Sequence, residues 1–135
     1  MARTGPALAV LGAAAVAVAI GGYVANTYET RKHQLLRVET LTGGDPDRGR
    51  AAIIRRPCGA CHEIPGINGA KGQVGPPLTH FAGRVYIGGR VQNTPDNLVR
   101  WIEDPHAIDK QSAMPPMGVG EREARDIAAY LYTLG

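Results

Sequence analysis

Cys58-Gly59-Ala60-Cys61-His62 is the stretch on which the reading of this 135-residue chain turns. Cys-x-x-Cys-His is the attachment pattern of a c-type haem. Two thiols three residues apart at the end of a helix can reach the two vinyl groups of one porphyrin. The histidine that follows is placed to bind the iron through a ring nitrogen. Two other readings use the same residues less completely. A disulfide or thioredoxin-like pair leaves His62 without a role and expects a βαβ setting that is missing here. A zinc site needs two further Cys or His ligands at ordered spacing, and there is no second cysteine pair.

The totals agree with one small domain and an appendage. Both cysteines are used by a covalent haem, so no thiol is left for a structural disulfide. The formal charge of +3 is modest and does not call for nucleic acid. Arg3, Arg31, Lys32 and Arg37, against Glu29 and Glu39, carry most of the excess, and the sequence from Asp45 onward is close to neutral. That part holds one Phe and one Trp, so large apolar side chains are scarce. A domain of roughly ninety residues lies near the size where core burial is marginal. An apolar porphyrin would supply what the side chains lack, and the apo form is expected to be poorly folded.

Upstream of the motif, Thr4 to Tyr28 contains no charged side chain. Its length suits one membrane-spanning helix of about twenty residues. A cleaved signal peptide competes, with Ala17-Val18-Ala19 as its small-residue cleavage site. The uncharged run continues well past that site, which favours an uncleaved anchor over residues 1–28. Residues 29–44 follow as a neck that can extend the helix until Gly43-Gly44 ends it and offers a hinge. The domain is assigned to residues 45–135. Because haem attachment of this kind takes place outside the bacterial cytoplasmic membrane, the expected arrangement is single-pass in the inner membrane with the haem domain in the periplasm.

Around the motif the expected elements are helical. Asp45-Pro46 places an N-cap before proline at the first helical position, opening a helix to about Arg56. The thirty-nine residues from Pro57 through Pro95 hold eight Gly and five Pro, too many breakers for long regular elements. Such a stretch needs a template, and haem is the obvious one. Thr94-Pro95 opens a second helix, with Leu98, Trp101 and Ile102 at i, i+3, i+4. A loop from His106 to Gly120 precedes a last helix over Glu121 to Leu134, in which Ala124, Ile127, Ala128 and Leu131 form a buried stripe.

The iron needs a partner opposite His62. Met114, Met117, His80, His106, His33 or an open position are the candidates. Met114 is preferred because its loop is bounded by prolines and lies between two helices, where backbone can be held rigid. A thioether there favours ferrous iron and raises the potential. A methionine can equally fill a core gap.

From about Gly44 to Leu134 these residues resemble the class I cytochrome c family. Gly44-Asp45, Gly49 and Cys58–His62 are similar to its first helix and haem attachment, and Gly75-Pro76-Pro77-Leu78 to its Gly-Pro-x-Leu segment. The resemblance implies that the Pro76 carbonyl accepts a hydrogen bond from His62. It implies that Arg84, in Phe81-Ala82-Gly83-Arg84, approaches a haem propionate, and that Trp101 lines the haem. It puts Met114 at the family's spacing after Pro105, as sixth ligand. Ile127, Tyr130 and Leu131 resemble the C-terminal helix that crosses the first helix near Gly49.

The implied fold is all-α: a class I cytochrome c domain wrapped on one covalent haem c, preceded by one N-terminal transmembrane helix. The implied function is one-electron transfer in a bacterial respiratory or photosynthetic chain, with no enzyme activity of its own. Its expected partners are a quinol–cytochrome c reductase and a terminal oxidase. The alternative is the haem c subunit of a larger membrane oxidoreductase, such as a terminal oxidase or nitric oxide reductase. A third reading, a haem peroxidase or ligand sensor, requires an open iron position.

Overall fold

A computed structural model describes residues 5–135 of the chain. It is mainly helical, and its contacts separate a first unit ending at Gln34 from a second, Leu35–Gly135.

Among its described residues the first unit is helix only. Helix α1 (Gly5–Thr42) begins there, and over Ala9–Thr42 it is long and apolar enough to cross a membrane. Val10, Leu11, Val16, Val18 and Ile20 are all exposed. That much bare apolar surface is unfavourable in water and suits hydrocarbon. Thr27 and Thr30 turn their hydroxyls back to the main chain, donating to Val24 O and Asn26 O at 2.8 Å each.

The second unit begins with the end of α1. Val38 and Thr42 are buried in it, and Arg125 Nη1 donates to Thr42 O at 3.2 Å. The segment read as a neck thus packs partly onto the domain, and buried Gly44 lies against the main chain at Arg125 instead of forming a free hinge.

Helix α2 (Pro46–Arg55) opens as its residues dictate. Asp45 caps it, accepting from Asp47 N at 2.8 Å and Arg48 N at 3.0 Å, with Pro46 in the first turn. After α2 comes one short turn, α3 (Cys58–Cys61). An irregular stretch follows, with a 3₁₀ turn at Phe81–Gly83. Strands β1 (Tyr86–Ile87) and β2 (Val91–Gln92) then pair antiparallel, Ile87 opposite Val91. Gly88 and Gly89, both at positive φ, make the tight turn between them.

Helix α4 (Pro95–Glu103) is capped by Thr94, and a 3₁₀ turn over Pro105–Ala107 follows it. Leu98, Val99 and Ile102 are its buried face, with Trp101 half-buried at the edge. Helix α5 (Glu121–Tyr132) is packed on two sides, by α2 and by α4. It therefore buries Asp126, Ala129 and Tyr130 in addition to the stripe of Ala124, Ile127, Ala128 and Leu131. The core joins these helices through Ala52, Ile53, Ile64, Phe81 and Ile87.

Candidate haem site

Pro57 stops α2, and α3 then winds Cys58 to Cys61 into one turn closed by His62 N–H donating to Cys58 O at 2.9 Å. Both cysteines are half-buried and free of a disulfide. Burial pushes the Cys58 thiol up from its ordinary range, and the nearby Arg56 charge offsets only part of that. The unmodified thiol is therefore held in its neutral form at neutral pH.

His62 is fixed by the chain that follows it. Gly75 N donates to Cys61 O and Leu78 N to Glu63 O, each at 2.7 Å, so residues 75–78 run beside 61–63. This brings the Pro76 carbonyl oxygen to 2.8 Å from His62 Nδ1. A carbonyl oxygen only accepts, so Nδ1 carries the proton and the lone pair is on Nε2. Gly75 permits the approach, since a Cβ there would stand 2.7 Å from His62 Nδ1.

The other sequence-derived residues gather on the elements after this segment. Arg84 Nη2 donates to the carbonyls of Pro77 and Thr79, and its guanidinium carbon lies 5.3 Å from the centre of the Phe81 ring. Trp101, on α4, carries the hairpin turn against its ring, where a Cβ on Gly88 would stand 2.8 Å from Cζ2. Cys58, Leu78, Trp101 and Met117 all pack on the same core. Met114 is half-buried in the loop between α4 and α5, with its N–H donating to Ser112 Oγ at 3.2 Å. Two candidate ligands are engaged or strained elsewhere. His106 Nε2 lies 3.0 Å from Ser112 O, and His80 is exposed at a positive φ of 50°.

Several residues that shape the site carry no local signal in sequence. Arg56 Nη2 pairs with Glu123 at 2.6 Å while Nη1 donates to Met117 O at 3.1 Å. Asn93 Nδ2 donates to Phe81 O at 3.0 Å and Arg84 O at 3.1 Å, and Tyr132 donates to Asn93 Oδ1 at 3.0 Å. Tyr130 donates to Pro65 O at 2.6 Å. These partners lie 9 to 67 positions apart.

The donor chemistry fits a covalent porphyrin. Two free thiols share one helical turn, and the next residue is an imidazole whose Nδ1–H is already held. Among the described residues no group of three or more His, Cys, Asp or Glu side chains converges as a zinc site would require.

Comparison with known proteins points the same way. A family model described as cytochrome c oxidase, cbb3-type, subunit III matches residues 44–131. A protein of Alkalihalophilus pseudofirmus named cytochrome c oxidase subunit 2 is 32% identical over 98 residues, 72% of this chain. The match covers 28% of that relative's length.

Proposed function

The chain belongs to the cbb3-type cytochrome c oxidase subunit III family, a cytochrome c family, and on that premise we propose that it carries single electrons on a haem c held by Cys58, Cys61 and His62. The observation that carries this reading is the His62–Pro76 contact of 2.8 Å beside two free cysteines. A histidine ring locked at Nδ1 offers Nε2 to one metal in one orientation.

The residues divide the work. Cys58 and Cys61 would attach the porphyrin through thioethers, and the His62 imidazole would bind its iron. Met114 would supply a second, thioether ligand. Arg84 would offer its charge to a propionate, and Trp101 would pack an apolar face from α4 against the porphyrin. The haem when bound supplies one reversible electron at its iron. Titrating the haem absorption in isolated membranes against potential tests haem, ligation and membrane attachment together. A polypeptide left colourless after acid-acetone extraction would end the proposal.

In its place in the chain of carriers, the protein takes electrons from a quinol-oxidising complex and delivers them to a terminal oxidase. Residues 1–28 anchor it in the inner membrane, 29–44 form the neck, and 45–135 stand in the periplasm. The family and the relative both bear oxidase-subunit names, which favours a second reading as a fixed haem subunit of an oxidase. Detergent extraction followed by sizing separates them. A stoichiometric co-purifying catalytic subunit identifies the fixed subunit; a small haem protein running alone identifies the shuttle.

A further inference from the structure

The loop that carries Met114 lacks a main-chain framework of its own. Among the described residues, no hydrogen bond between main-chain groups anchors residues 113–119. Pro115 and Pro116 have no N–H to contribute. Side chains hold it instead: upstream of Met114 the Ser112 hydroxyl, on a residue fixed by its N–H to Asp109 O at 3.0 Å and by His106, and downstream Arg56.

Upstream the tether is His106, whose Nε2 lies 3.0 Å from Ser112 O. The carbonyl only accepts, so the ring donates. Ser112 passes the constraint on, its hydroxyl accepting the Met114 N–H at 3.2 Å. His106 is itself fixed in the turn after α4, where its own N–H donates to Asp104 Oδ1 at 3.0 Å. Downstream the tether is Arg56, with Nη1 donating to Met117 O at 3.1 Å. Its guanidinium is braced by Glu123 of α5, at 2.6 Å from Nη2. Arg56 lies two residues before Cys58, so the segment bearing the haem cysteines and the loop bearing Met114 share one brace.

We propose that His106 and Arg56 are positioning residues that hold the Met114 thioether in its liganding place and so set how readily another ligand displaces it. This rests on the reading of Met114 as sixth ligand. Losing a tether lets the loop populate detached states. A competing ligand then binds more tightly, in proportion to the detached fraction.

The test uses the full-length holoprotein in its ferric form, with imidazole as competitor and the near-infrared methionine–iron band as the readout of ligation. His106→Leu and Arg56→Leu should each raise the apparent imidazole affinity by about fivefold, the worth of one hydrogen bond. His106→Gln and Arg56→Lys keep an N–H donor and should stay within about twofold of the native value. Asp126→Ala weakens the packing of α2 on α5 without touching the loop and should leave imidazole affinity unchanged. If a leucine variant does not fold, Ser112→Ala keeps the test open, because it frees the Met114 N–H and should also raise the affinity.

Foldable leucine variants that bind imidazole as the native protein does would overturn the proposal. So would an equal rise in Asp126→Ala, which would make the effect one of global stability. Met114→Ala separates this failure from failure of the premise. If the band survives there, the ligand is another residue and the tethers lose their object; if it vanishes while the leucine variants behave as native, only the tethers are wrong.

Discussion

His62 Nδ1 and the Pro76 carbonyl oxygen stand 2.8 Å apart, and Gly75 is the residue that allows it. A methyl at position 75 would intrude on the imidazole, so either the ring tilts or the 75–76 peptide retreats. Both weaken the hydrogen bond. A ligating imidazole that loses such a bond becomes a poorer electron donor and favours ferric iron less. Gly75→Ala should therefore raise the midpoint potential by roughly 30–60 mV, taking the bond at about 1 kcal/mol and 59 mV per tenfold change. Gly83→Ala is the control, because nothing lies within 4 Å of a Cβ there. Potentiometric titration of both variants checks the difference.

Acid should unfold the domain through its paired carboxyls. Burial alone would push Asp126 up, but the Arg48 fork at 2.9 Å and the Asp45 N–H at 2.8 Å outweigh it and hold it below the usual range. The Arg56 guanidinium does the same for Glu123, and the Gln111 N–H and Arg90 for Asp109. A carboxyl depressed in the folded state gives stability that is complete above its unfolded value, about 4, and is lost as pH falls through the folded value. The melting temperature of the holoprotein should be nearly flat from pH 7 to about 5 and drop steeply below about 4. Asp126→Ala should lower it at neutral pH, by about 1–3 kcal/mol of stability, and flatten the acid limb.

Removing the cofactor should cost the domain its cooperativity. Five of the buried core residues are alanines, Ala52, Ala70, Ala124, Ala128 and Ala129, which contribute little apolar area each. Between α3 and α4 the regular structure amounts to one 3₁₀ turn, a hairpin of two-residue strands and an isolated bridge between Glu63 and Lys71. A full-length Cys58→Ala, Cys61→Ala variant should keep the helical signal of α1 while its domain melts without a sharp transition. Far-UV circular dichroism and near-UV signals at Trp101 measure this, and native cooperative melting would contradict it.

What the sequence discloses here is what lies close together along it. Asp45-Pro46 and Thr94-Pro95 announce helix starts because a cap acts on N–H groups two or three residues on. Cys58 to His62 are legible for the same reason. Pro76 as partner of His62 follows from family resemblance, since nothing in a proline tells which donor its carbonyl meets. Arg56 is one cation among several near neighbours, and its bond to Met117 spans 61 positions. Nothing local marks what Asp126 meets, yet α5 has neighbours on two sides and turns it inward to Arg48. The β1–β2 hairpin escapes because two-residue strands are too short to show alternation.

The crossing of α2 and α5 gives the sharpest stability test. A Cβ built on Gly49 would collide with the main-chain carbonyl of Asp126, and backbone cannot swing aside as a side chain can. Gly49→Ala must therefore push the helices apart or tilt one of them. That strips contact from Ala52 and Ile53 on one side and Ile127 on the other, all buried. Overpacking of this kind costs about 1–3 kcal/mol. In a domain of this size each kcal/mol moves the melting temperature by about 4–8 °C. The holoprotein should melt roughly 5–20 °C lower than native, while a haem attached as proposed should be retained, because Cys58 and Cys61 are untouched. Gly83→Ala should melt within a few degrees of native. A Gly49→Ala protein of native stability would mean that α2 and α5 do not cross at this glycine.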